Sequence, residues 1–202
     1  MCSRQLCQSL AALAVAALAA RVSGAELRPQ RRDADALKAK VAAITAFGER
    51  PSRQSRRTTV TETEVNAYLT YDARNDLPVG VVEPTVTILG TGRVSGRAVV
   101  DLDAVRKERK PTSLLDPMTY LGGRLPITAT GVLTAANGVG RFALESASVS
   151  GIPVPKIVLQ EIVSYYSRTP QNPAGIGLDD PFALPARIRE IHVERGQAVV
   201  VQ

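Results

Sequence analysis

Two carboxylates, Asp101 and Asp103, stand two positions apart in the stretch DLD (101 to 103). On an extended strand that spacing puts both on one face, where they could hold a divalent ion. A metal-dependent glycosyl transfer would use such a pair, but it also needs a nucleotide-binding α/β unit, and the chain has no such alternation of strands and helices. The pair therefore reads as a solvated strand face that leads into the basic loop VRKERK (105 to 110). The one histidine, His192, shares its face of an alternating stretch with Glu190 and Glu194, the setting of a surface imidazole rather than of a triad base. Neither GxSxG nor SxxK occurs, and beyond residue 25 there is no cysteine, so thiolate sites, His-pair zinc sites and Cys-His catalysis are excluded by inventory. GTGRVSG (90 to 96) has its glycines one residue out of register for a dinucleotide fingerprint and leads into a strand. No catalytic residue, metal or cofactor is expected.

The only cysteines, Cys2 and Cys7, precede the apolar run LAALAVAALAA (10 to 20), which follows Arg4 and ends at the small-residue exit SGA (23 to 25). This is the pattern of a signal peptide cut after Ala25, because the run is well short of the roughly 20 residues that span a bilayer. A lipid-acceptor cysteine would follow the run, not precede it. The expected product is a periplasmic or secreted protein whose core, without disulfides, must supply its stability. The full chain of 202 residues carries a formal charge of +6, only 4% aromatic residues and no tryptophan. A positive surface suits anionic lipid headgroups or acidic glycans, but the stacking platform of a nucleic-acid binder is missing.

With chemistry of the catalytic kind excluded, the elements themselves become informative. DADALKAKVAAITAF (33 to 47) places Leu37, Val41 and Ile44 at helical spacing, begins with aspartates suited to the positive end of a helix and stops at Gly48. GERPSRQSRR (48 to 57) reads as an exposed basic linker. Thr61 and Glu64 form a capping box for a second helix bearing Val65, Tyr68 and Leu69. The period then changes to two: TVTIL (85 to 89) and RVSGRAVVDLD (93 to 103) make one hairpin, and RLPITATGVLTAA (124 to 136) and GRFALESASVS (140 to 150) make another about Asn137 and Gly138. Pro153 stops strand pairing and Pro155 fits the first turn of a helix, IVLQEIVSYY (157 to 166), with Val158, Leu159, Ile162, Val163 and Tyr166 as its stripe. A long polar loop (167 to 182) and two strands about Arg195 and Gly196 complete the chain. The expected total is roughly three helices and six or seven antiparallel strands.

Three stretches carry a resemblance: TVTETEVNAYL (59 to 69), LGGRLPITATGVLTAANGVGRFALESASVSGIPVP (121 to 155) and LPARIREIHVERGQAVVV (184 to 201). In pattern and order they resemble bacterial envelope lipid-binding proteins of the AsmA-like and TULIP-like type, including the mycobacterial lipomannan-elongation protein family. The resemblance implies an α+β fold in which a strongly curved antiparallel β-sheet wraps around amphipathic helices as a half-barrel, with an apolar furrow that holds or passes a lipid. The chain departs from larger members in having no obvious anchor segment and few aromatic residues.

The organisation expected is a signal peptide (1 to 25), an N-terminal helix with a basic linker (26 to 57) and a curved-sheet domain (58 to 202). In the furrow, acyl chains would meet Val65, Leu69, Ile127, Leu133, Phe142, Leu144, Val158 and Ile162, while Arg53, Arg56 and Arg57 would meet an anionic headgroup or the surface of an anionic membrane. The competing reading is a non-catalytic structural or interaction domain of the envelope with no bound lipid. A glycan-modifying enzyme comes third and rests on Asp101 and Asp103 alone.

Overall fold

The first helix, α1 (Arg31–Gly48), opens where the Asp33 carboxylate accepts the main-chain N–H of Gln30 at 3.2 Å. This computed structural model describes residues 29–50, 54–108, 122–168 and 172–202; the expected signal peptide, Arg53 and the end of the basic loop (109 to 110) lie outside them. The buried line of α1 runs Ala34, Leu37, Ile44 and Gly48, while Val41, which the same spacing assigns to the stripe, is 51% exposed at its margin. Ile44 packs on Ile188 and Val200, with Leu184, Ala186 and Ile191 around them. Gly48 meets the Ala186 carbonyl so closely that no Cβ fits between them. The Gln202 side chain then donates to Ile44 O at 2.9 Å and Ala186 O at 2.6 Å, tying the end of the chain to α1 and to the segment before β8.

The layer beneath α1 is a three-stranded antiparallel sheet in the order β1 (Arg57–Thr61), β9 (Gln197–Val201), β8 (Glu190–Glu194). The second helix, α2 (Glu62–Tyr71), follows β1 directly, and both halves of its capping box form: Thr61 Oγ1 accepts the Glu64 N–H at 3.3 Å, and Glu64 accepts the Thr61 N–H at 2.9 Å. Glu64 also takes Lys40 Nζ at 2.6 Å, which ties α2 to α1.

A short 3₁₀ turn (Ala73–Asn75) leads into the larger sheet, which has the order β2 (Val81–Gly90), β3 (Arg93–Asp101), β4 (Arg124–Ala136), β5 (Val139–Val149), β6 (Ile152–Pro153). A two-residue strand, β7 (Phe182–Ala183), pairs with the start of β5. All pairings are antiparallel, so the fold is α+β, and among the described residues no strand closes the larger sheet into a barrel. The β4–β5 turn forms at Asn137 (φ 53°) and Gly138 (φ 78°), the left-handed pair that matches hairpin twist. The small sheet caps that end of the larger one. Gly92 N–H reaches Val193 O at 3.2 Å, Gly196 N–H reaches Ile88 O at 2.8 Å and Gly138 N–H reaches Arg189 O at 3.0 Å.

Three local expectations need correction. The second strand of the first hairpin ends at Asp101, and Leu102 begins a helix, α3 (Leu102–Glu108), because Asp101 Oδ1 accepts the Ala104 N–H at 3.0 Å as an N-cap. Asp101 and Asp103 therefore do not share a strand face, and much of the basic loop is helical. Pro155 is the N-cap of α4 (Lys156–Ser167), just outside its first turn. Before it, Ser150 (φ 53°) and Gly151 (φ 80°) turn the chain back for the two residues of β6, which ends at Pro153. The described residues thus hold four α-helices and nine strands, the surplus over the expected count coming from α3 and the short strands.

The Lys40–Glu64 tie makes the junction of α1 and α2 sensitive to acid. Burial works to raise the Glu64 pKa, but the Lys40 hydrogen bond and charge and the Thr61 groups outweigh it and hold the carboxyl below its ordinary 4.5. A depressed folded-state value means that the stabilisation is full above the unfolded pKa and is lost as the pH falls through the folded one. Chemical denaturation across acidic pH should show the wild type losing stability more steeply below 4.5 than Glu64→Gln does.

Candidate binding site

Strand register sorts the larger sheet into two unlike faces. On one face lie Thr85, Arg97, Thr128 and Ser148 in one cross-strand row and Thr87, Ser95, Thr130 and Ser146 in the next. Ser95 and Thr130 share a hydrogen bond at 2.9 Å there, and Arg93 pairs with Glu145 at 2.9 Å. The opposite face is apolar across the width of the sheet: Val81, Val100 and Leu125 form one row, Ala98, Ile127 and Val149 another, Ile88, Val94, Gly131 and Leu144 a third. Leu133 and Phe142 extend it, and the Phe142 ring lies over Gly131.

What covers this face is incomplete. Ile88 is buried, but Val94, Ala98, Val100, Leu125, Ile127, Leu133, Phe142, Leu144 and Val149 are all only half-buried. At Gly96, in the same face, an added Cβ would meet nothing within 4 Å. Among the described residues, α2 and α4 do not close it because they are held elsewhere. Helix α2 sits beside the edge strand, where Asn66 Nδ2 donates to Val86 O and Asn66 Oδ1 accepts the Val86 N–H, both at 2.8 Å, and Glu62 Oε2 accepts the Ile88 N–H at 2.6 Å. Four residues of helix rise about 6 Å and two residues of strand about 6.7 Å, so positions 62 and 66 meet positions 88 and 86 in register.

Helix α4 is held by its polar side. Gln160 accepts the Leu178 N–H at 2.8 Å, Ser167 accepts the Ile176 N–H at 2.7 Å, and Lys156 pairs with Asp179 at 2.6 Å. Its other side faces out, with Ile157 at 73% exposure and Val158 and Ile162 exposed beside it. Of the residues expected to line a furrow, the sheet brings Ile127, Leu133, Phe142 and Leu144 onto one face. Val65 and Leu69 stand on α2 at the β2 edge, and Val158 and Ile162 lie on the outward side of α4.

Of the expected headgroup arginines, Arg56 and Arg57 are placed apart from that face, and Arg53 lies outside the described residues. Arg56 lies over the Phe47 ring at 5.7 Å and donates to Ala43 O at 3.2 Å, the position of a cation at a helix C-terminus, and Arg57 pairs in register with Val201 in the small sheet. A cleft that the sequence analysis did not anticipate opens between the end of α2, the 3₁₀ turn and the start of β2. Its volume is about 630 Å³; Leu69, Leu77, Val81, Val82 and Pro84 give it apolar walls, and Arg74 and Glu83 its charges. A bulge makes the room: register shifts between Val82 and Thr85, and Glu83 takes φ 52°. The only sequence signal for it was Glu-Pro (83 to 84) interrupting an alternating strand.

The chemistry-bearing residues are otherwise occupied. Asp103 takes Arg106 at 2.7 Å and the Gly123 N–H at 3.2 Å, and His192 is exposed with Nε2 2.9 Å from Glu190 Oε2. Among the described residues no three His, Cys, Asp or Glu side chains gather as a metal site, and no helix is long and apolar enough to cross a membrane. Comparison of the chain with protein-family models, with curated proteins and with solved structures finds no match.

Two glycines test the open face directly. A Cβ at Gly131 would lie 2.5 Å from the Phe142 ring and from Ala143 O, so Gly131→Ala should cost about 1–3 kcal/mol in denaturant unfolding. Gly96→Ala enters open space at a negative φ and should be neutral or stabilising by up to about 1 kcal/mol.

Proposed function

We propose that the protein is exported to the cell envelope and holds a lipid or other amphiphile against the apolar face of its larger sheet, as the resemblance to AsmA-like and TULIP-like proteins implies. The observation that carries this reading is a sheet face apolar from Val81 across to Val149 on which Ile127, Leu133, Phe142 and Leu144 keep access to solvent. Water against such a face is displaced with a gain of about 0.8 kcal/mol for each CH₂ buried, so an acyl chain is a natural occupant. The bulges in β2 and β5 and the glycines at 96 and 131 favour bending of the sheet around such a ligand, the half-barrel form of the reading. The amphiphile passes no covalent chemistry here. Binding, and release to a membrane or carrier, is the activity.

A second reading draws on α4, whose Ile157, Val158 and Ile162 are exposed and suit a protein partner in a scaffold domain without lipid. Solvent extraction of the purified protein followed by mass spectrometry separates the two. The lipid reading expects a co-purified amphiphile, lost by at least about tenfold in Ile127→Asp and Leu144→Asp variants that still melt cooperatively, since both positions already touch water. A protein free of amphiphile that also fails to take one up from detergent-solubilised lipid leaves the scaffold reading.

A further inference from the structure

The cleft under α2 has a charge pattern that the sheet face does not. Arg74 stands in its lining on the 3₁₀ turn, and its side chain makes no ion pair or hydrogen bond among the described residues. The carboxylates around it are already committed. Asp72 takes Arg31 at 3.0 Å and Lys38 at 3.7 Å, Asp76 accepts the Tyr68 hydroxyl at 2.7 Å, and Glu83 leans toward Arg124 at 3.9 Å. The remaining polar group on the helix side, the Thr70 hydroxyl, donates to Asn66 O at 2.7 Å. One guanidinium without an ion pair among the described residues therefore stands over walls formed by Leu69, Leu77, Val81 and Pro84, with Glu83 the other charge of the lining. A volume of about 630 Å³ lies within the range of small-molecule sites, in which mostly apolar walls bind and a few placed polar groups orient.

We infer that this cleft is the headgroup end of the amphiphile site, and that Arg74 selects ligands whose single polar end is anionic, a carboxylate or a phosphate monoester. The inference rests on the amphiphile reading of the sheet face, to which the cleft is continuous through Val81, a residue of both the cleft wall and the apolar rows. A guanidinium offers a planar fork of N–H donors that fits either anion in two-point contact. An uncharged or zwitterionic end gains little there. A zwitterion would also bring its cation to the single arginine.

Binding of dodecanoate, dodecyl phosphate and dodecanol to the purified protein tests this, with wild type compared with Arg74→Gln. At least one of the two anions should bind the wild type about tenfold more tightly than dodecanol, and Arg74→Gln should remove that preference while leaving dodecanol unchanged. Which anion shows the preference separates a fatty-acid-like ligand from a phosphate one. Arg74 is exposed and unpaired, so the variant should keep the wild-type melting temperature, and an unchanged melt confirms that the comparison is between folded proteins. Anion preference that survives Arg74→Gln, or wild-type binding indifferent to the charge of the head, overturns the assignment of Arg74 and leaves the sheet-face reading standing. A wild type that binds none of the three overturns both.

Discussion

The paired hydrogen bonds between the Asn66 amide and the main chain of Val86 decide how the rest of the molecule is laid out. An edge strand presents N–H and C=O groups that must find partners, and a side-chain amide is the one group that can return both a donor and an acceptor as a neighbouring peptide would. With Glu62 meeting Ile88 one turn earlier, α2 serves the larger sheet as a substitute strand. A helix committed to the edge cannot also lie across the face. The apolar rows are thus left half-open by the same contacts that keep the strand from pairing with another chain.

Elsewhere too the larger sheet is supported from its borders. The small sheet receives the tips of both long hairpins through main-chain hydrogen bonds at Gly92, Gly138 and Gly196, and α4 adjoins β5 while its polar side is bound by residues 176 to 179. The buried apolar cluster of Ile44, Ile188 and Val200 joins α1 to β9 and to the segment before β8. Close packing surrounds Gly48, Ala186 and Gln202, whereas the apolar face of the larger sheet is only half-covered. Sites that receive a ligand are drawn from regions of this kind, since a fully packed face has nothing left to gain by binding.

How far the sequence revealed this follows from the range of the interactions. Thr61 with Glu64, and Asn137 with Gly138, act over three residues or fewer, and each specifies its helix or turn by itself. The alternation in β4 puts Ile127 and Leu133 on one face, because a strand's period fixes side-chain direction without reference to its partner, whereas only the pairing register and the bulge in β5 bring Phe142 and Leu144 to the same side. Asp101 was misread because an aspartate after alternating residues is equally a strand face and an N-cap, and only the Ala104 N–H distinguishes them. The outward side of α4 could not be read, since the stripe gives a direction and says nothing about which side its neighbours bind. Arg74 escaped notice for a related reason: an isolated arginine acquires meaning only when a bulge some ten residues later opens an apolar cleft beside it.

The small sheet is made of strands far apart in the chain: β9, its middle strand, pairs on one side with β1, and Gln202 bonds to Ile44 across 158 residues. Contacts of that span close late, since chain entropy opposes them until most of the intervening structure exists. During synthesis α1 has no layer on which to bury Ile44 until β8 and β9 emerge, and the hairpin tips have no cap. The long hairpins can zip up locally, but the body that holds them is assembled last. A chain built this way locks by a closing step that joins its early residues to its late ones.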